Sequence, residues 1–398
     1  MDQLIRVAEQ MRGEVHGLLR KSMDMELVQG AVLEIDRYWY EWAVFTQLGH
    51  YDGLWPQPEA QELFAWLSLR RDLPKWDFDK RPEDWEYHCS VTGYGEGSSP
   101  LIVRVILKAQ SPGLTKLRIG DLPGSHRNHT VLYEARPPLV AANALHRFAA
   151  ALLQSAKEEP RSLSVGRSEP RTSGTLGGFL HNPLTGTKYL VSCAHVFGPP
   201  EAYVYTPGPH EHRDSAPIGE VRFSEIPPLK RSEEDCNLFA APNAGRLDVS
   251  VAEWIPNASE AASRMVPVSA ASVLRAAAKI SPYQRVAFVG KESGRVEAQV
   301  GATTLWHEIE YPEFGEGPAG TRCFGSLFEL TDFYGDRRHI GVQGDSGAWI
   351  YDDQGGLRCW SGMLIAVQGR RSYCCYAQWI MEALAKHPAF AGGLAMRW

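Results

Sequence analysis

The stretch Gln343-Gly344-Asp345-Ser346-Gly347-Ala348-Trp349-Ile350 is the part of this chain that decides its fold. A serine between small, turn-forming residues, followed by an apolar run, predicts a tight turn that leads into a buried strand. A hydroxyl on such a turn, beside the amide N–H groups of Gly344 and Ser346, has the parts of a nucleophile with an oxyanion hole. The same short pattern is also typical of an ordinary hairpin loop, so the interpretation depends on partners elsewhere in the chain.

Two upstream segments offer the partners that a nucleophilic serine requires, a general base and a carboxylate to orient it. Residues 189–194 form an apolar run that leads into His195, and residues 247–252 form a second apolar run that contains Asp248. Taken singly, a histidine after a strand is usually a core or surface residue, and an aspartate is usually a turn or cap. Three matches in one order, all at predicted strand ends, favour a catalytic triad of His195, Asp248 and Ser346.

These segments resemble the motifs of the trypsin-like (chymotrypsin-fold) serine peptidases. Ser-Cys-Ala-His195 is similar to the family's Thr-Ala-Ala-His, and Leu-Asp248-Val-Ser-Val is similar to its Asp-Ile-Ala-Leu strand. Gly-Asp-Ser346-Gly matches its nucleophile loop. Residues 361–365 and 376–380 resemble the family's last strands and the entry to its C-terminal helix.

The resemblance covers residues 172–398 and implies an all-β double barrel (chymotrypsin-like) that is closed by a C-terminal helix. In the family, the histidine and the aspartate come from the first barrel and the serine comes from the second. The implied reaction is hydrolysis of a peptide bond in a protein substrate, with Ser346 attacking, His195 transferring the proton and Asp248 orienting the imidazole. The amides of Gly344 and Ser346 would bind the oxyanion. No cofactor and no metal is implied.

The resemblance also implies which residues contact the substrate. Ile340 stands six residues before the serine, where trypsins carry the aspartate that selects Lys or Arg, and Val367 stands where the family tends to have a glycine. Ile365 replaces the family's usual serine beside the triad. With Gln343, these residues form the candidate substrate-binding set, and we expect small or apolar side chains before the scissile bond.

In the family, the residue at Asp345 pairs with a new N-terminus that is released on zymogen activation. This sequence has no Ile-Val-Gly-Gly start from which such an end could be formed. Asp345 is therefore expected either to meet an internal group or to lie in an oxyanion hole that forms when a partner or the N-terminal region moves.

Composition narrows the class of protein. Lys and Arg number 41 against 47 Asp and Glu, without a basic patch, which disfavours a nucleic-acid or anionic-membrane binder. No apolar run has the length of a membrane span, and the N-terminus does not resemble a signal peptide. The odd count of 7 cysteines, with Val196 where secreted relatives carry a disulfide cysteine, favours free thiols in a reducing cytoplasm.

A chain of 398 residues exceeds what one core usually supports. We expect a helical or α+β domain over residues 1–155, a polar linker over 156–173 and the peptidase domain over 174–398. Within the first domain, apolar periodicity predicts helices at 2–22, 24–48, 58–70 and 138–155 and strands near 87–91, 101–107 and 130–133.

Two classes of function remain open from the sequence. The first is a cytoplasmic serine endopeptidase whose N-terminal domain senses or recruits a protein partner, by analogy with effectors of bacterial defence and regulated cell death. The second is a catalytically silent peptidase fold that binds peptides. The intact set of three triad residue types favours the first.

Overall fold

A computed structural model of the chain describes residues 162–396, except 211–214, 232–246, 256–272, 277–279, 281–283, 303, 312–317, 333–338 and 355–356. Before residue 162 it describes 19–21, 23, 25–35, 101–108, 122, 125–126, 129–136 and 139–141. The predicted helix at 58–70 and the predicted strand at 87–91 lie outside these residues.

The N-terminal region contributes five strands to the described fold. They are β1 Val28–Ile35, β2 Leu101–Lys108, β3 Ser125–His126, β4 His129–Arg136 and β5 Leu139–Ala141. The strands predicted near 101–107 and 130–133 are thereby confirmed. The helices predicted over 24–48 and 138–155 are wrong at β1 and β5, because pairing with neighbouring strands overrides the helical spacing of the apolar residues there.

The first barrel is built from a five-stranded antiparallel sheet and a short ribbon. Its strands are β6 Ser164–Val165, β7 Gly174–Thr175, β8 Gly178–His181, β9 Lys188–Ser192, β10 Tyr203–Thr206, β11 Ala216–Glu225 and β12 Val249–Trp254. The sheet has the order β10-β11-β12-β9-β8, and β6 pairs with β7. The short helix α1, Ala194–Phe197, follows β9 and is completely buried.

The second barrel follows β13 Val273–Ala276. Its strands are β14 Arg285–Gly290, β15 Gly294–Val300, β16 Thr304–Tyr311, β17 Gly320–Thr331, β18 Trp349–Gln354, β19 Leu357–Gln368 and β20 Arg371–Tyr376. Pairings β14–β15, β15–β17, β17–β20, β20–β19, β19–β18 and β18–β14 close six strands into a ring. The helix α2, Ala377–Lys386, follows β20 at the place where the resemblance implied a C-terminal helix. The predicted all-β double-barrel fold is confirmed.

Strand β16 is inserted in the sequence between β15 and β17, but it lies outside this six-stranded ring and joins the ring to the N-terminal strands. It pairs with β17 on one side, and β1 and β5 also pair with it. Part of the stretch expected to be a linker is structured as well: β6 pairs with β7, and the Arg167 side chain is buried. The polar composition of 162–173 predicted a linker, but polar side chains there donate hydrogen bonds to the barrel, as the Thr172 hydroxyl does to the Val196 carbonyl.

The cysteines divide into two groups. Cys193, Cys359, Cys374 and Cys375 are free and buried, as expected. Cys323 is disulfide-bonded, and its partner lies outside the described residues, so the expectation of free thiols is wrong at this position. Among the described residues, no helix combines the length and the apolar character needed to cross a membrane.

Candidate active site

The turn that carries Ser346 needs both of its glycines. Gly344 has φ +104° and Gly347 has φ +97°, in the left-handed region that residues with a Cβ avoid. A Cβ at Gly344 would also lie 2.6 Å from Glu292 Cγ, and one at Gly347 would overlap Ser192 Oγ and the Thr175 carbonyl. The turn therefore lies directly against strands of the first barrel.

Thr175, on β7 of the first barrel, holds this turn in place. Its backbone N–H donates to the Ser346 carbonyl at 2.8 Å, and its hydroxyl donates to the Gly344 carbonyl at 2.9 Å. Cys193, two residues before the candidate base, donates its thiol to the Leu364 carbonyl at 3.2 Å. These contacts bring the segment of His195 and the segment of Ser346 to the same junction between the barrels.

The Asp345 side chain is enclosed by hydrogen bonds from inside the chain. It accepts from the backbone N–H groups of Val342 at 2.9 Å, Glu292 at 3.0 Å and Ser293 at 3.1 Å, and from the Ser293 hydroxyl. Burial raises the pKa of the Asp345 carboxyl, and these donors oppose that rise. Of the two expectations for Asp345, the internal partner is the one observed, and no new chain end is needed to satisfy the side chain.

His195 and Asp248 form a tight, completely buried pair. The distance from His195 Nδ1 to Asp248 Oδ2 is 2.5 Å, and the His195 backbone N–H donates to Asp248 Oδ1 at 3.2 Å. Both side chains are 0% exposed. Because an ionised carboxylate only accepts hydrogen bonds, it places the imidazole proton on Nδ1. The lone pair of Nε2 is then available, and Nε2 has no hydrogen-bond partner.

Tyr311 is a member of the site that sequence reasoning missed. Its hydroxyl donates to Asp248 Oδ2 at 2.8 Å, and its ring meets the His195 ring edge to face with 5.2 Å between centroids. Burial and the Asp248 carboxylate raise the pKa of Tyr311 well above its usual value, so the hydroxyl stays a donor. Tyr311 thus supplies a hydrogen bond where the replacement of the family's serine by Ile365 had predicted a missing contact. No short motif marks Tyr311, because it ends the inserted strand β16.

The Ser346 hydroxyl is not directed at His195. It donates to the Ile365 carbonyl at 3.3 Å, and His195 Nε2 is left without a partner. A rotation about the serine χ1 bond would be needed to join the two, and catalytic hydrogen bonds are often absent from unliganded sites. Among the described residues, the amide N–H groups of Gly344 and Ser346 donate to no acceptor, so both remain available as oxyanion donors.

Cys193, His195 and Asp248 also have the composition of a metal site, since their ligand atoms lie within 4.8 Å of one another. A thiol binds a metal as the thiolate. Burial, with a smaller effect from Asp248, raises the pKa of Cys193 well above its usual value, and the thiol donates to Leu364. The contacts of all three residues therefore fit a hydrogen-bonded pair with a neutral thiol beside it better than a metal centre.

The four predicted substrate-binding residues occupy different environments. Ile365 and Val367 lie on β19, where Ile365 contacts Ser346 and Val367 is half-buried. Ile340 is only 2% exposed and belongs to an apolar core cluster. Gln343 is half-buried in the turn before Ser346. The structure thus brings Ile365 next to Ser346, and Ile340 packs as a core residue.

We expect Tyr311→Phe to lower kcat about tenfold, because it removes one hydrogen bond to a charged carboxylate and keeps the ring. KM should stay within about twofold, since no substrate contact is lost. Tyr189→Phe is the matched control, a buried tyrosine that packs against Phe390. Steady-state kinetics and thermal unfolding of both variants check this. If both variants lost the same activity and the same thermal stability, a role for Tyr311 in the site would be contradicted.

Comparison with solved structures finds chymotrypsin-fold serine proteases. A Nocardiopsis protease is 13% identical, with coverage of 60% of this chain and 98% of that one and a TM-score of 0.36. Thermobifida fusca protease A is 10% identical, with 57% and 95% covered and a TM-score of 0.35. Cellulomonas bogoriensis chymotrypsin is 12% identical, with 56% and 93% covered and a TM-score of 0.32. No family model and no curated protein matches the chain.

Proposed function

We propose that the protein is a serine endopeptidase whose triad is His195, Asp248 and Ser346. The observation that carries the proposal is the buried His195–Asp248 pair at 2.5 Å, with an unpartnered Nε2, at the same junction as a serine on a turn that requires glycine at two positions. A carboxylate–imidazole pair that leaves one nitrogen free is the arrangement required of a general base.

The proposed reaction follows from what each group can do. Ser346 Oγ attacks the carbonyl carbon of the peptide, and His195 Nε2 takes its proton and delivers it to the leaving amine as the C–N bond breaks. Water, deprotonated by the same nitrogen, then cleaves the acyl-enzyme ester, which releases the acid product and returns the proton to Ser346. The resulting imidazolium is stabilised by Asp248, which Tyr311 and the His195 backbone N–H hold in place. The amides of Gly344 and Ser346 are the proposed donors to the oxyanion.

A silent peptide-binding module is the second candidate, and one observation favours it. The Ser346 hydroxyl donates to Ile365, not to His195. In a silent module that hydrogen bond would persist when a peptide binds, whereas in a peptidase the hydroxyl would turn to the imidazole. Labelling of the serine separates the two.

The test is covalent labelling of the full-length protein with a fluorophosphonate, followed over hours because Ser346 is 0% exposed and is reached only during opening. We expect label on Ser346, located by mass spectrometry, and none in His195→Ala, which keeps the serine and loses its base. Equal labelling of both proteins, or label on another residue, would refute the proposed triad.

A further inference from the structure

The edge of β19 beside the nucleophile is already occupied by a segment of this chain. Strand β5 pairs antiparallel with β19, with Ala141 opposite Ala366 and Val140 opposite Val367. On its other side, β5 pairs with β16 in parallel. The pairing runs along β19 towards Ile365, the residue whose carbonyl accepts the hydrogen bond from Ser346.

An extended peptide binds a protein by adding a strand to an open sheet edge, which satisfies its backbone groups. The edge at Ala366 and Val367 is next in the chain to the contact of Ser346, so a peptide paired there would have its carbonyl groups close to the nucleophile. Its antiparallel direction would bring its C-terminal end towards Ile365, as it does for β5. The segment Leu139–Ala141 thus has the position and the direction of a substrate strand.

The burial of the three triad residues agrees with the presence of β5 on the edge of β19. His195, Asp248 and Ser346 are each 0% exposed, although hydrolysis requires a peptide to reach two of them. Leu139 and Ala141 are also 0% exposed and belong to the same apolar cluster as Ile365 and Ala366.

We propose that β5 is a built-in substrate mimic, which keeps the site closed until it leaves the edge of β19. The inference rests on the proposed peptidase function and adds its regulation and substrate class. The chain then binds extended peptides with aliphatic residues before the scissile bond, and the release of β5 by a partner or by a movement of the N-terminal strands starts hydrolysis.

The first experiment displaces β5 in the full-length protein. A buried aspartate without a partner is strongly unfavourable, so Leu139→Asp should expel β5 and raise hydrolysis of a quenched peptide containing Leu-Val-Ala about tenfold or more. The matched control is Val131→Asp, which places the same charge at a position 4% exposed on β4, away from β19. Equal activation by both substitutions, or none by Leu139→Asp in a folded protein, would overturn the proposal.

A tether tests the same idea without relying on a disruptive charge. Directly opposed residues on antiparallel strands have the spacing of a disulfide, so Ala141→Cys with Ala366→Cys should lock β5 in place on oxidation. We expect fluorophosphonate labelling to stop in the oxidised form and to return with reductant, whereas Ala366→Cys alone should not respond. Identical labelling of the oxidised and reduced double variant would show that β5 does not block the serine.

Peptide binding separates failure of this proposal from failure of the peptidase assignment. A fluorescein-labelled Pro-Leu-Val-Ala-Ala peptide, the sequence of residues 138–142, should bind Leu139→Asp about tenfold or more tightly than the wild type, measured by anisotropy. Tighter binding without hydrolysis in any variant would refute the peptidase and support the occupied edge. Equal affinity for both proteins, with hydrolysis, would refute the occupied edge and support the peptidase.

Discussion

Ser346→Ala is expected to lower kcat for peptide hydrolysis by about a millionfold, the size of effect seen when a triad serine is removed. The loss should be this large because the oxygen that forms the acyl-enzyme is absent, and His195 then has no serine hydroxyl to deprotonate. Stability should change little, since the Ser346 hydroxyl makes one long hydrogen bond, at 3.3 Å to Ile365.

The measurement is hydrolysis of the quenched peptide, with and without Leu139→Asp to give the peptide access. The matched control is Ser361→Ala, a buried serine on β19 whose Oγ has no partner among the described residues. Ser361→Ala should retain activity within about threefold, within the range usual for changes remote from the reacting atoms. Residual hydrolysis by Ser346→Ala above about a thousandth of the wild-type rate would contradict covalent catalysis at this residue.

The second large effect concerns the carboxylate. Asp248→Asn should lower kcat about ten-thousandfold with little change in structure. An amide can donate a hydrogen bond to His195 Nδ1, which moves the imidazole proton to Nε2, so the nitrogen that faces the reaction no longer accepts a proton. Asp248 now accepts three hydrogen bonds, from His195 Nδ1, the His195 backbone N–H and the Tyr311 hydroxyl. An asparagine would lose at least one of them, because its amide nitrogen cannot accept a hydrogen bond.

Rates of hydrolysis across pH 6–10 check this, because a triad with the wrong tautomer regains activity only where hydroxide can substitute for the base. Glu253→Gln is the control, an exposed carboxylate on β12 that pairs with Arg222. A fall in activity of less than about tenfold in Asp248→Asn would show that Asp248 does not set the tautomer of His195.

The barrels could be predicted from the sequence because their strands carry local signals. The apolar run at 189–196 corresponds to β9, Lys188–Ser192, and the C-terminal helix that the resemblance implied is Ala377–Lys386. The strand β16 was missed, since a tryptophan, a histidine and two glutamates interrupt its apolar pattern. Of these residues, Glu308 is paired with the distant Lys230 and Lys108, and such pairings leave no mark on the local sequence.

The residues of the candidate site also differ in whether a local sequence motif marks them. His195, Asp248 and Ser346 follow recognisable motifs, and their assignment as a triad stays a prediction. Tyr311 and β5 reach the site from other parts of the chain, and only the tertiary fold shows that they are near it. The suggested cytoplasmic location and the role in bacterial defence also stay predictions, since no residue described bears on either.

The pairing of β5 with β19 has a consequence for biosynthesis. Ala141 leaves the ribosome early, and its partner Ala366 leaves it after more than half of the chain has followed. Contacts between such distant segments form late in folding. Strand β5 can therefore pair only after β19 has been synthesised. The turn that carries Ser346 is synthesised shortly before β19. Under the proposed role of β5, the site of a nascent chain would be closed at about the moment it becomes competent, and proteins near the ribosome would be protected from premature cleavage.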